Sequence, residues 1–425
     1  MEVVMLERYF LRPQTIDRIR ASWVGPGIEA YVASLTEQEY SARSVWHRVP
    51  VLLAFGEFAR ERGAKTYEDL PAYVEPFAAD WLESRGTGRS PERLRRLADE
   101  ITNPVVQMLA LLLPDYRTTR RRPRPEPFAL SAPGFFPYLR EERGLRETSI
   151  CLYEHHLRYF ERYLAGLGLD QLDGISPIVL SAVVTERSQV LSTSSLTTLC
   201  SCLRVFLRYL HREGLLARDF SRSVESPQAY RLAELPRAIS WPEVGRMLEV
   251  VEKRTVVGRR DYAILVLLVT YGLRAHEVAA LTLDSFDWRR ERLLVPERKA
   301  GHSTAYPLSP LVGQAILAYL KDGRPETEDR HLFFRVHAPY TAMSAVAVST
   351  RASVYLHKAG IQVGRPGSHT LRHTCITRLV AADFPLKTIG DYVGHRSPDS
   401  TAIYGKVALE RLREVALGDG EEVLW

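Results

Sequence analysis

Residues 260–277 read RDYAILVLLVTYGLRAHE, and everything else in the chain is best understood outward from them. From Arg260 to Thr270 the stretch is apolar nearly all round, the pattern of a helix buried on every side rather than of an amphipathic surface helix. Such a helix needs a packed domain around it. Downstream, Arg292 to Pro296 and Ala305 to Leu308 flank a polar turn around Gly301 like a short hairpin, and several helical segments follow. The part of the chain from Ile239 onward is therefore expected to be mixed but mainly helical.

Five short patterns punctuate this part in order: Tyr271-Gly-Leu-Arg274-Ala-His-Glu277, Arg298-Lys299-Ala-Gly301, His369-Thr-Leu-Arg372-His373, Gly394-His395, and Tyr404. An arginine at a helix end is often only a capping cation, and an isolated tyrosine usually packs. The combination and its spacing are what carry meaning. Together they resemble the tyrosine recombinase (phage integrase) family, whose signature of Arg, Lys, His-x-x-Arg, Gly-His and Tyr is met without a missing member. Lys299 stands eight residues before Pro307-Leu308, as the family's hairpin lysine stands before its Val-Pro-Leu strand, and Leu281 to Asp287 is similar to the segment after its first arginine. Val278 and Val393 depart from the usual Leu.

The residue types suit the chemistry that the resemblance implies. A phosphodiester attacked in line concentrates negative charge on its non-bridging oxygens, and guanidinium forks bind two such oxygens without losing their own charge. Arg274 and Arg372 are the candidates for that clamp. Tyr404 would be the nucleophile, and a phenol with a pKa near ~10 needs a proton acceptor beside it. The resemblance assigns that role to His369, makes Lys299 the general acid for the departing 5′ oxygen, and makes His395 a further donor to the phosphate. Glu277 would orient the clamp, and His373 is a supporting or packing residue. A zinc helix is the rival reading of His369 and His373, but a protease of that kind has Glu directly after the first histidine, where Thr370 stands. No metal and no cofactor is expected, since a phosphotyrosyl bond conserves the energy of the phosphodiester and no P-loop or carboxylate triad is found.

Working outward toward the N-terminus, proline marks two breaks. Arg117 to Pro127 reads RTTRRRPRPEP, with Arg117, Arg120, Arg121, Arg122 and Arg124 interleaved with prolines that prevent a helix. This is either a solvated spacer or a linker along a phosphate backbone. The second break is SPQAYRLAELP, from Ser226 to Pro236. Between them Cys151, Leu157, Phe160 and Leu164 recur at helical spacing, and Leu196, Leu199, Leu203, Phe206, Leu207 and Leu210 do so behind Ser192, Ser194 and Ser195. Arg158, Arg162, Arg204 and Arg208 give these helices basic faces, suited to gripping a duplex.

The resulting expectation is a mainly α chain with a small β-hairpin or sheet in the catalytic domain. Residues 1–116 form an extra N-terminal helical domain and 117–127 a basic linker. Residues 128–227 form a helical SAM-like core-binding domain that grips DNA, 228–238 a linker, 239–404 the tyrosine-recombinase catalytic fold, and 405–425 an amphipathic tail that docks either on its own domain or on a neighbouring protomer. With an offset of 105, Ser44, Leu52, Phe55, Phe58 and Gly63 meet Ser149, Leu157, Phe160, Tyr163 and Gly168, so the first domain reads as a diverged copy of the core-binding domain. It would serve either as a second DNA-contacting unit or as an interaction module.

Composition sets the outer limits. At 425 residues, two to three domains are expected. Lys and Arg number 57 against 51 Asp and Glu, a net charge of +6 that leans toward anionic partners. Four irregularly placed cysteines make neither a disulfide framework nor a zinc site, and no window is long and apolar enough to span a bilayer, so an intracellular protein is expected, which the resemblance would place in the cytoplasm at the nucleoid. The partners that the resemblance implies are double-stranded DNA with paired inverted sites and further copies of the chain, four protomers synapsing two sites, with co-recombinases as additional candidates. Strand exchange would pass through a 3′-phosphotyrosyl intermediate and a Holliday junction. A type IB topoisomerase and a catalytically silent DNA-binding protein of the same fold are the alternatives. The helical segment before the catalytic domain argues against the first, and the complete residue set against the second.

Overall fold

A computed structural model describes residues 5–85, 88–116, 125–169, 172–228, 238–296, 304–394 and 401. The chain divides into two compact units, residues 119–233 forming one and residues 1–118 with 234–425 the other. Residues 1–116 keep an apolar core of their own, although they fall in the same unit as residues 234–425. Among the described residues no helix is long and apolar enough to cross a membrane, and the four cysteines are unpaired.

The N-terminal part is built from α1 (Pro13–Ala21), α2 (Gly25–Glu37), α3 (Ala42–Glu61), α4 (Val74–Arg85) and α5 (Pro91–Leu112). Serines set two of the starts: Ser41 Oγ accepts from the Ser44 N–H, and Ser90 Oγ from the Arg93 N–H with Pro91 at the first helical position. Gly56 lets α3 approach Val24, whose Cγ2 lies 2.4 Å from where a Cβ would stand. Trp23 Nε1 donates to the Gly56 carbonyl at 2.9 Å across the same contact.

The second unit contains α6 (Phe135–Pro137), which runs into a π turn at Tyr138–Glu142, then α7 (Glu147–Gly166), α8 (Pro177–Ser188) and α9 (Thr193–Arg212). The leucine stripe read from the sequence is the buried face of α9, and Ser192 caps its start. On α7 the reading was one residue off at its first position: Cys151 is exposed, and Ile150 fills the core because it, and not Cys151, lies on the same face as Leu157.

The two sets of helices correspond in order. α3 and α7 are both twenty residues long and start 105 residues apart, while α4 and α8 start 103 apart and α5 and α9 start 102 apart. Leu52 with Leu157 and Phe55 with Phe160 are fully buried in their respective cores. Gly63 and Gly168, just past the ends of α3 and α7, both adopt positive φ.

One buried group in the second unit carries a prediction. Burial, followed by the charges of His155 and Arg187, lowers the pKa of His156 on α7 from 6.5 to about 4. Between those values the unfolded chain binds the extra proton and the folded one does not, so stability falls as pH falls through this window and levels off below it. The loss amounts to about 3 kcal/mol for a group this well buried. Urea unfolding followed between pH 7 and 4 should show it, and His156→Leu should remove that part of the pH dependence.

The remaining described part opens with α10 (Trp241–Glu249), α11 (Val256–Tyr271) and α12 (Ala275–Ala279). Next come β1 (Phe286–Asp287), β2 (Arg292–Val295) and β3 (Thr304–Pro307). Four helices follow: α13 (Pro310–Asp322), α14 (Ala345–Lys358), α15 (Ser368–Ala381) and α16 (Leu386–Val393). The strands make one antiparallel sheet in the order β1-β2-β3, with Leu293 opposite both Phe286 and Tyr306. The expected hairpin is thus present and gains a third short strand. α11 is the buried central helix, every residue from Ala263 to Val269 lying in the core, with α13 and α15 packed against it.

Candidate active site

The site is assembled where α11 ends. Gly272 takes a φ of 58°, a conformation that favours glycine, and a Cβ there would also crowd Cys375 Sγ on α15 at 3.2 Å. Arg274 follows as the residue that opens α12. Its N–H donates to Glu277 Oε2 at 2.8 Å and its Nη1 to Oε1 at 2.9 Å, while its Nη2 donates to the Gly394 carbonyl at 2.9 Å. Glu277 is buried, and Arg274 meets its charge from both backbone and side chain, which fixes the guanidinium in turn.

Arg372 comes to the same place from α15. It is 4% exposed, and its Nη1 donates to the Gly272 carbonyl at 2.5 Å and its Nη2 to the Val393 carbonyl at 2.7 Å. The two arginines of the sequence motifs, 98 positions apart in the chain, therefore bond consecutive carbonyls at the end of α16. That placement is favourable, because the last carbonyls of a helix lack partners within it and carry the negative end of its dipole.

His369 lies one turn before Arg372 and reaches the surface. Desolvation by its surroundings, and after it the charges of Arg372, Arg274 and His276, hold its pKa below the ordinary histidine value. Its imidazole is thus neutral at neutral pH and able to accept a proton. His373 is half-buried and has partners within the fold. Burial pushes the thiol of Cys375 up to about 12, which leaves it a packing group rather than a nucleophile.

Lys299, His395, Tyr404 and the linker residues Arg117, Arg120, Arg121, Arg122 and Arg124 lie outside the described residues. Thr401, the one residue described beyond Gly394, is buried with its Oγ1 3.0 Å from where a Cβ on Gly390 of α16 would stand. Among the basic residues of the second unit, Arg162 and Arg208 are exposed. Arg158 donates to the Pro125 carbonyl at 3.0 Å. Arg204 is used within the fold: its guanidinium holds the Val224 carbonyl at 2.9 Å and Ser226 Oγ at 2.7 Å, fastening the chain that leaves the unit. The periodicity reading placed it on an exposed basic face because a bond to a carbonyl twenty residues away leaves no trace in helical spacing.

Residues that the sequence reading did not single out complete the surroundings. Tyr271 Oη donates to the Pro307 carbonyl and accepts from the Ser309 N–H, both at 2.9 Å. Tyr392 Oη donates to the Thr270 carbonyl at 3.2 Å, and Tyr306 Oη donates to the Tyr392 carbonyl. The three rings pack in sequence, Tyr271 tilted against Tyr306 at 5.1 Å and Tyr306 edge-on to Tyr392 at 4.9 Å.

An arginine pair converging on a glycine-ended helix, beside a neutral histidine, has the charge and the donors to bind an anion such as a phosphate. Comparison with known proteins agrees. Residues 239–411 match the phage integrase family and residues 133–214 the N-terminal SAM-like domain of phage integrases. The integrase/recombinase y4rF of Sinorhizobium fredii is 30% identical over 422 residues, 97% of this chain and 95% of its own. The tyrosine recombinase XerD of Lacticaseibacillus casei is 27% identical over 285 residues, 65% of this chain and 94% of its own. The chain belongs to the phage integrase family of tyrosine recombinases. The fold is shared with the XerH site-specific recombinase, solved on its palindromic difH substrate, at 17% identity and a TM-score of 0.56 over 82% of this chain and 96% of that one.

Proposed function

We propose that this recombinase cuts and rejoins DNA strands through Tyr404. The phenolic oxygen attacks phosphorus and gives its proton to His369. The bond from phosphorus to the 5′ oxygen breaks, and Lys299 protonates that oxygen as it leaves. A 3′-phosphotyrosyl bond and a free 5′-hydroxyl result, and attack by the 5′-hydroxyl of a partner strand reverses the step and carries exchange through a Holliday junction. Arg274, Arg372 and His395 bind the charge that builds on the non-bridging oxygens, and Glu277 fixes Arg274. Bond energy is conserved throughout, so neither ATP nor metal is required.

The observation that carries this reading is the convergence of Arg274 and Arg372 on the Val393 and Gly394 carbonyls, the two residues before His395. Thr401, three residues before Tyr404 in the sequence, is buried with its Oγ1 close to Gly390 of α16. The substrate is double-stranded DNA with paired inverted sites, bound by four protomers, with Arg158, Arg162 and Arg208 and the basic linker along its backbone, in the cytoplasm at the nucleoid. The test is cleavage of a nicked terminal-repeat DNA in EDTA without ATP. The cut strand should carry a 5′-hydroxyl, labelled directly by polynucleotide kinase, and a 5′-phosphate would overturn the mechanism.

Residues 1–116 are, in this reading, a diverged copy of the core-binding domain that serves as a second DNA contact. The helix-by-helix correspondence supports the first half of this. For the second, α3, α4 and α5 border a groove of about 580 Å³ whose lining includes His47, Arg48, Trp81, Arg85 and Arg89. Each phosphate contact contributes a slope of about −0.9 in log K against log salt. Replacing the exposed Arg89 and Arg93 together by Gln should flatten the slope by up to about two, measured by titration of terminal-repeat DNA at several salt concentrations. An unchanged slope would make the domain an interaction module instead.

A further inference from the structure

The end of α16 is held by three side chains in a row. The carbonyls of Tyr392, Val393 and Gly394 receive Tyr306 Oη, Arg372 Nη2 and Arg274 Nη2 respectively. Two of the three are the arginines that the proposed reaction turns toward a phosphate. The third has no part in that chemistry. We propose that Tyr306 is a positioning residue: it anchors the end of α16 to the sheet, so that this end keeps its place when the arginines engage DNA. The proposal rests on the reaction proposed above.

Several features make Tyr306 suited to this. It is 2% exposed and lies on β3, paired through the backbone to Leu293 of β2, so its ring is fixed before it reaches α16. It is wedged between Tyr271 and Tyr392, in an edge-on contact at 79° with the latter. Tyr271 in turn locks both ends of the Pro307–Ser309 corner that follows β3, and Tyr392 reaches back to Thr270 at the end of α11. The three tyrosines therefore tie together β3, the helix end that precedes Arg274, and the helix end that precedes His395.

Tyr306→Phe removes the donor and keeps the ring contacts. Two measurements on the full chain test the proposal. Amide hydrogen exchange over residues 386–394 of the free protein should accelerate in the variant, whether or not DNA is ever cut, and unchanged exchange would overturn the anchor. In single-turnover cleavage of a nicked half-site, the variant should bind with wild-type affinity and cleave about fivefold to tenfold more slowly, the effect of one buried hydrogen bond. The same deficit should appear on DNA with sulfur in place of the 5′ bridging oxygen, a leaving group that needs no general acid. A wild-type rate, a loss confined to affinity, or rescue by sulfur would contradict positioning through α16. A wild-type chain that forms no covalent adduct would instead sink the reaction itself, with the exchange result still deciding the anchor.

Discussion

Replacing Arg372 by Lys is expected to lower the rate of strand cleavage by about 10²–10³-fold, the cost of removing one donor from a charge-stabilising site. The substitution keeps the charge and discards the geometry. Arg372 spans two carbonyls, Gly272 and Val393, that end two different helices. A lysine is a single point donor on a flexible stem and cannot reach both while also presenting a planar edge to a phosphate. Because the side chain is 4% exposed, the lost carbonyl contacts are not replaced by bulk water, and α16 loses one of the holds on its end. Single-turnover cleavage on a nicked half-site checks this. A rate within tenfold of wild type would show that charge alone suffices and that the fork plays no part.

The second large effect concerns stability rather than chemistry. Arg260 and Asp261 at the start of α11 are 5% and 0% exposed, and Arg260 binds Asp261 Oδ1 through Nε at 2.9 Å and Nη2 at 2.7 Å. Its Nη1 also holds the Phe334 carbonyl at 3.0 Å. Arg351 stands 3.9 Å from the other carboxylate oxygen, too far to replace the fork. Arg260→Met therefore strands a buried carboxylate, and a loss of about 3–5 kcal/mol is expected in chemical denaturation. Arg260→Met combined with Asp261→Leu should recover most of it, since replacing both members of a buried pair is often nearly neutral. Equal destabilisation of the single and double variants would contradict the account.

Arg372 and the Arg260–Asp261 pair also mark what could and could not be read from the sequence. The buried α11 was legible because its residues are apolar on every face, and the arginine and histidine motifs were legible because chemistry fixes their types and spacing. Arg260 and Asp261 head that buried stretch as charged residues, and only the return of Phe334 and Arg351 to them, more than seventy positions later, shows how their charges are met in the interior. Tyr306 and Tyr392 are 86 positions apart, and nothing local to either suggests the bond between them. The partners of Arg204 are hidden for the same reason: periodicity reports which face a side chain is on, not which distant carbonyl meets it there. Cys151 shows the complementary error, in which a stripe of correct period was begun one residue late.

The central claim is that Tyr404 forms a covalent bond to DNA. The direct measurement is an SDS-stable adduct between the chain and nicked terminal-repeat DNA, compared for wild type and Tyr404→Phe, with the linked peptide identified by mass spectrometry. The account predicts an adduct in the wild type, mapped to residue 404, and none in the variant. No adduct in the wild type, or one that persists in Tyr404→Phe, would contradict it.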